Sequence, residues 1–321
     1  ACASLGMGTI ALSPADILSV IVGTADAQTT AVIVNMRLPR VLTALVAGIA
    51  LSLSGCAFQS VLRNPLASAS TLGVAQGAAF GASVAIILIA GGGAAAFEGA
   101  TSSVNPVMTA ACAFAGAMLS TAVILGLSRL REMTPGSIVL AGVALSALFT
   151  AGTTLIQYFA EDSQVAAVVF WTFGDLSRVN WSQLAVMAIV TAVSGTFFLA
   201  HSRSFNAIES GEGLAHGLGV AVGRTRLACM VAASFAAACV IAFCGIINFV
   251  GLVAPHITRR LLGADYRYLM PASALVGASL LLLADIACHA VVAPLILPIS
   301  AITAFIGAPL FIYLLFKGVS R

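Results

Sequence analysis

The chain is poor in charge. Aspartate, glutamate, lysine and arginine make up 8% of its 321 residues, where a soluble domain carries about 25%. So few charges cannot cover a surface that faces water, and the bilayer is therefore the main solvent of the chain. Lysine is nearly absent. Lys317 is the only one, and it stands in no GxxxxGK loop, which excludes a Walker A phosphate cradle. Histidine is scarce, and His201, His216, His256 and His289 form no HExxH zinc motif. Cys2, Cys56, Cys112, Cys229, Cys239, Cys244 and Cys288 show no CxxC spacing, and all but Cys2 lie in long apolar runs, where they read as small buried hydrophobes. There is no Ser-His-Asp or Cys-His set and no basic stripe with interleaved aromatics. These absences leave no catalytic residue, no metal ligand, no cofactor and no nucleic-acid partner to assign.

Apolar sequence is what the chain has instead. Hydrophobic residues make up 60% and the mean hydropathy is +1.10. Apolar stretches fall near 41–62, 70–90, 107–127, 137–159, 182–200, 226–244, 246–262, 268–293 and 299–316. A span needs about 20 residues at about 1.5 Å each to cross a hydrocarbon core of about 30 Å. The expected fold is all-α and polytopic, one transmembrane domain over 1–321. The residues after Ala1 read like the end of a further apolar segment, so a first helix is expected to be incomplete in this chain, and about ten transmembrane helices are expected per subunit.

Basic residues orient the spans. With the 201–226 loop in the cytoplasm, the inner side holds Arg63, Arg129, Arg131, Arg203, Arg224, Arg226, Arg259, Arg260, Arg267, Lys317 and Arg321, and the outer side only Arg37, Arg40 and Arg178. The segment from Val165 to Asp175 reads as a short interfacial helix, with Trp171 and Trp181 as headgroup anchors.

Several local features bear on chemistry. The span after Arg37-Leu38-Pro39-Arg40 runs uncharged to Arg63-Asn64-Pro65-Leu66-Ala67, a charge-bracketed helix with a break at its foot. Gly73, Gly77 and Gly81 recur every four residues, a spacing that brings helix backbones together within one chain or between subunits. Asp285 is the one carboxylate well inside an apolar stretch, either an ion relay or a packing group bonded to backbone or hydroxyls. In the inner loop, Ser210 or Gly211 can cap a short helix bearing Glu212, with Leu214 and Leu218 one turn apart, fit either for docking on a partner or for a plain connector. Pro255 within 248–260, and Leu297-Pro298 through Gly307-Ala308-Pro309, punctuate two further spans, as gate elements or as ordinary kinks.

Taken together these motifs resemble the FecCD family, the permease subunits of binding-protein-dependent ABC importers for iron-siderophores, haem and cobalamin. The matching residues are Arg37-Leu-Pro-Arg40, Gln59, Arg63-Asn-Pro-Leu-Ala67, Leu72-Gly73, Leu140-Ala-Gly142, Gly211-Glu212, Leu218-Gly219, Phe249 through His256, Ala284-Asp285, Leu297-Pro298, Thr303-Ala304 and Gly307-Ala-Pro309. The resemblance implies a homodimer with a central pathway, two ATPase subunits beneath it and a substrate-binding protein above, in the inner (plasma) membrane. It makes Arg37 and Arg40 exposed docking charges for the binding protein, joined by His289, which stands where the family often has arginine. It places Asn64 and Leu66, with the turn Thr134-Pro135-Gly136, at the cytoplasmic gate, and makes the span at 137–159 the pathway-lining helix. It makes 201–226 the coupling loop, with Gly211, Glu212, Leu214, Ala215, Leu218 and Gly219 contacting the ATPase. The expected cargo is an iron chelate, ferric siderophore before haem or cobalamin. The rival reading is an ion-coupled secondary transporter or channel that works without an ATPase, and it calls for more intramembrane ionisable groups than Asp285.

Overall fold

The longest helix, α1 (Ala27–Val61), is also the hub of the bundle. The computed structural model describes residues 19–20, 22, 24–90, 105–130, 134–292 and 295–319, with the side chains of 129–130 and 314–319 left out. The expected incomplete first helix falls within residues 1–18, outside the described residues, and so do Asp16, Glu98, Arg131, Glu132 and Arg321. All regular structure among the described residues is helical.

After α1 come α2 (Val74–Ile89), α3 (Pro106–Leu130), α4 (Pro135–Tyr158), α5 (Asp162–Thr172), α6 (Trp181–Ala200), α7 (Ser202–Ser210), α8 (Glu212–Gly217), α9 (Val222–Cys244), α10 (Val250–Leu262), α11 (Tyr266–Ala290) and α12 (Ile299–Val319). Six of the described helices, α1, α3, α4, α6, α9 and α11, are long and apolar enough to cross a membrane. Among the described residues, then, not every one of the nine apolar stretches yields such a helix. The run at 246–262 yields only the 13-residue α10, about 20 Å of helix, because the backbone leaves helical geometry between Gly245 and Phe249, both at positive φ. α2 and the described part of α12 are shorter apolar helices.

α1 packs against α6, α9, α10 and α11. Within its most apolar window 78% of residues are buried, against 17% for α4. Two glycine pairs set this closeness. A Cβ on Gly48 would lie 2.5 Å from the Gly277 carbonyl oxygen in α11, and one on Gly277 would lie 2.5 Å from that of Gly48. A Cβ on Gly55 would lie 1.7 Å from the Gly251 oxygen in α10. Pro255, four residues after Gly251, has no N–H to offer that oxygen, so it is free to lie against α1.

The small-residue stripe after Gly73 packs within the chain. A Cβ on Gly77 would lie 2.4 Å from the Gly116 oxygen of α3, and one on Gly81 would lie 2.0 Å from that of Cys112. Gly73 is not on the stripe. It is the left-handed residue that starts α2, at φ 73°. A short helix forms at the segment expected to be interfacial, as α5, capped by Glu161 and Gln164. Its Trp171, expected as a headgroup anchor, is buried in the main core instead, whereas Trp181 is half-exposed and donates its indole N–H to the Val34 carbonyl at 3.2 Å. The two proline-punctuated segments meet: a Cβ on Gly307 would lie 2.4 Å from Cβ of Phe249, so the glycine makes room for the phenylalanine at the break before α10.

Candidate functional site

One group of candidate residues lies where α1 stops, at Val61. Its last turn leads into Leu62 and Arg63, the latter left-handed at φ 44°. Asn64 then folds back, its Oδ1 accepting the Leu66 N–H at 2.9 Å, and Leu66 stands 40% exposed. The Thr134-Pro135-Gly136 turn starts α4 in a way the residue types dictate. Thr134 Oγ1 accepts the Ser137 N–H at 3.2 Å and lies 2.8 Å from the Ser137 hydroxyl, while Pro135 takes a position where a missing N–H costs nothing.

The 201–226 segment forms two short helices where the sequence promised one. Gly211, at φ 133°, joins α7 to α8. Ser210 caps nothing, because its hydroxyl donates to the Asn206 carbonyl at 3.0 Å. Ala215 is buried with Ala207, Ile208 and Val222 in a small core separate from the two main ones. Leu214 and Leu218 are 56% and 66% exposed. Gly219, at φ 80°, turns the chain back toward α9.

Polar ties fasten this segment on two sides. Glu209 of α7 pairs with Arg259 of α10, which also donates to the Tyr266 hydroxyl at 2.8 Å. Nearby, Asn206 donates to Asp265 at 2.8 Å and accepts the Tyr266 N–H at 2.9 Å. The guanidinium of Arg267, then the Asn206 amide, hold the Asp265 carboxyl well below the usual carboxylate range. On the other side Glu212 pairs with Arg226, whose Nε donates to the Val61 carbonyl at 2.9 Å. Glu212, Arg226, Thr134 and Pro135 line one cavity of about 760 Å³. The structure thus brings Glu212 beside the 134–136 turn and ties it to the foot of α1. Sequence reasoning missed Asn206, Glu209, Arg226 and Arg259. The available signal was charge balance, two carboxylates in the inner loop and two arginines at the starts and ends of the next helices.

The three residues expected to dock the binding protein lie elsewhere, and their side chains are not exposed. Arg37 and Arg40 are inside the continuous α1, ten or more residues from its start, and are 5% and 7% exposed. Asp285 lies in a buried ion pair. Its Oδ2 is 3.3 Å from Arg40 Nη2, with both side chains buried. His289 joins them: Arg40 Nη1 lies 2.9 Å from its Nε2, and its Nδ1 lies 2.8 Å from the Asp285 carbonyl oxygen. Because arginine only donates, Nε2 accepts and Nδ1 carries the proton. A buried ion pair replaces the expected exposed charges on this chain.

α4 presents the broadest exposed apolar side, with Leu140, Val143, Leu148, Leu155 and Tyr158 between 55% and 81% exposed. Among the described residues no group of three or more His, Cys, Asp or Glu side chains is placed to hold a metal.

A polytopic helical bundle with an exposed apolar helix face and a short helix tethered at the foot of α1 is the build of an integral membrane protein. The chain belongs to the FecCD transport family, whose model matches residues 1–317. It is 46% identical over 318 residues, 99% of this chain and 91% of the relative, to a Methanocaldococcus jannaschii protein named as an ABC transporter permease. It is 34% identical to the hemin transport system permease of Yersinia pestis over 88% of this chain and 82% of that one. Other relatives are named for import of iron(3+)-citrate, iron(3+)-hydroxamate and vitamin B12. A solved structure described as an inward-facing, metal-chelate type ABC transporter is 32% identical, with a TM-score of 0.84 over 98% of this chain and 94% of that one. The fold is accordingly that of an ABC-transporter permease, a subunit class that carries no ATPase motif of its own and acts with ATPase and substrate-binding partners.

Proposed function

We propose that this chain is the membrane-spanning subunit of a binding-protein-dependent importer. As a homodimer in the inner (plasma) membrane, it passes an iron chelate into the cytoplasm by alternating access, driven by two separate ATPase subunits and supplied by a substrate-binding protein. Ferric siderophore is the preferred cargo, ahead of haem and cobalamin, in keeping with the names of its relatives. One observation carries the reading. α8 holds its root by Ala215 and Glu212 while Leu214 and Leu218 project into solvent, the arrangement of a helix that inserts apolar anchors into a partner's groove. On this reading the 201–226 segment is the coupling loop, with Gly211 and Gly219 as its turns. Asn64, Leu66 and Thr134-Pro135-Gly136 form the gate, and the exposed side of α4 faces the pathway and the second copy.

The rival, an ion-coupled carrier, loses its main support because Asp285 is neutralised by Arg40. The docking role of Arg37, Arg40 and His289 stands only as charge reached when α1 and α11 meet the binding protein, since none is exposed in the isolated chain.

The test is reconstitution. The permease, its ATPases and its binding protein are placed in vesicles, and uptake of ferric hydroxamate, ferric citrate, haem and cobalamin is followed with and without ATP. ATP-dependent uptake that needs the binding protein supports the proposal. Uptake by the permease alone under an ion gradient overturns it.

A further inference from the structure

Arg226 sits where α8 meets the foot of α1, and the reason lies in Pro65. Val61 closes α1, so its carbonyl looks four residues on for a donor. That residue is Pro65, which has no N–H. The Asn64 N–H does not substitute, because it goes back to Gln59 O at 3.1 Å. The Val61 oxygen is filled from outside the helix, by Arg226 Nε at 2.9 Å. A cation at that point also suits the negative end of the α1 dipole. The other edge of the same guanidinium holds the Glu212 carboxylate at the start of α8. The Arg226 side chain is 16% exposed and that of Glu212 41%.

We propose that Arg226 is the positioning residue that carries displacement of α8 to the gate segment after α1. The inference deepens the importer reading and rests on it. Three features support it. A guanidinium is planar and presents its donors at fixed angles, so a shift of Glu212 moves the Nε donor with it. The receiving carbonyl stands immediately before Leu62, Arg63 and Asn64, and the left-handed Arg63 is a strained joint of the kind found at moving segments. The cavity of about 760 Å³ beside Glu212, Arg226, Thr134 and Pro135 gives the pair room to move without displacing packed side chains. α7, by contrast, is fastened to α10 and α11 through Glu209 and Asn206, so the Glu212–Arg226 pair is the polar tie that leads from the coupling segment to α1. Lysine cannot replace this residue, because a single ammonium on a flexible stem does not hold both partners at a fixed angle.

The test uses the whole transporter in nanodiscs, with the ATPases trapped by ATP and vanadate, and reads amide hydrogen exchange by mass spectrometry. In the wild type, trapping should change exchange both at 212–217 and at 62–67. In R226K, the change at 212–217 should persist and the change at 62–67 should be lost, while ATP hydrolysis continues and the ATPases still co-purify. A response at 62–67 in R226K equal to the wild type overturns the relay and leaves the importer reading intact. No response at 212–217 in the wild type overturns the coupling assignment of α8 and the relay with it. R226M serves as the folding control, since its thermal midpoint separates lost structure from lost transmission.

Discussion

Removing one partner of the Arg40–Asp285 pair tests how far a buried charge governs this fold. Arg40 stands about 32 Å along α1 from Val61, at 1.5 Å per residue, near the far edge of a hydrocarbon core of about 30 Å. It is 7% exposed and Asp285 is 2% exposed. Asp285→Leu removes the carboxylate that lies 3.3 Å from the Arg40 guanidinium, and breaking a buried pair by removing one partner costs about 3–5 kcal/mol. At about 1.4 kcal/mol per factor of ten, that is a loss of at least about a hundredfold in the folding equilibrium. Arg40→Met leaves the carboxylate stranded and should cost a similar amount. The double variant removes both charges and should recover most of the loss, because apolar replacement of a buried pair is commonly neutral or better. The assay is thermal unfolding of the purified permease in detergent, arranged as a double-mutant cycle. Additive single effects, with no recovery in the double variant, would refute the claim that the two charges exist for one another. The same double variant separates fold from docking. If Arg40 also receives the binding protein, its affinity falls in a permease whose stability is restored, and the loss should be larger at low salt.

Other outcomes follow from single sites. Gly55→Ala forces a methyl to within 1.7 Å of the Gly251 oxygen and should separate α1 from α10 at a cost of about 1–3 kcal/mol or more, read as a lower thermal midpoint; a wild-type midpoint would contradict the packing. Leu214→Asp and Leu218→Asp touch no buried surface and should leave stability within about 0.5 kcal/mol of wild type while abolishing ATPase co-purification. Asn206→Ala strands the Tyr266 N–H and one Asp265 contact, for a loss of about 1–3 kcal/mol in the same unfolding assay. The depressed Asp265 carboxyl stabilises the fold above its unfolded value of about 3.9, and that contribution disappears as pH falls through the lower folded value. Asp265→Asn should therefore flatten the acid limb of the stability profile below about pH 4, and an unaltered limb would remove Asp265 from the account.

Composition was enough to place the chain in a bilayer, and the apolar runs located most of the helices, because both depend on residue-by-residue solvation. The boundaries of α1 were not legible in the same way. Arg37 and Arg40 read as the edge of a span, since a charge normally marks water. The helix instead begins at Ala27, and Asp285 from α11 supplies the opposite charge that lets Arg40 stay inside. That partner is 245 positions away in the chain, and no local pattern announces it. The half-length of α10 was hidden for a related reason. Its hydropathy is continuous with what precedes it, and the break rests on backbone torsions at Gly245 and Phe249 that depend on Gly307 making room. The turn residues at 64–66 and 134–137 were readable because each makes its bonds within three positions.

The glycine contacts of α1 divide the chain mechanically. Gly48 on Gly277 and Gly55 on Gly251 set backbone against backbone, two turns apart on one helix, with no flexible side chain between them to absorb a slide. Protein interiors packed this tightly transmit displacement instead of accommodating it, so α1, α10 and α11 shift as a block. α4 is held on one side only: a Cβ on Gly142 would lie 2.3 Å from the Thr71 oxygen, while Leu140, Val143, Leu148 and Leu155 on its outward side are exposed. On the importer reading, opening and closing would carry that frame as a unit, with the outward apolar side of α4 set against the second copy.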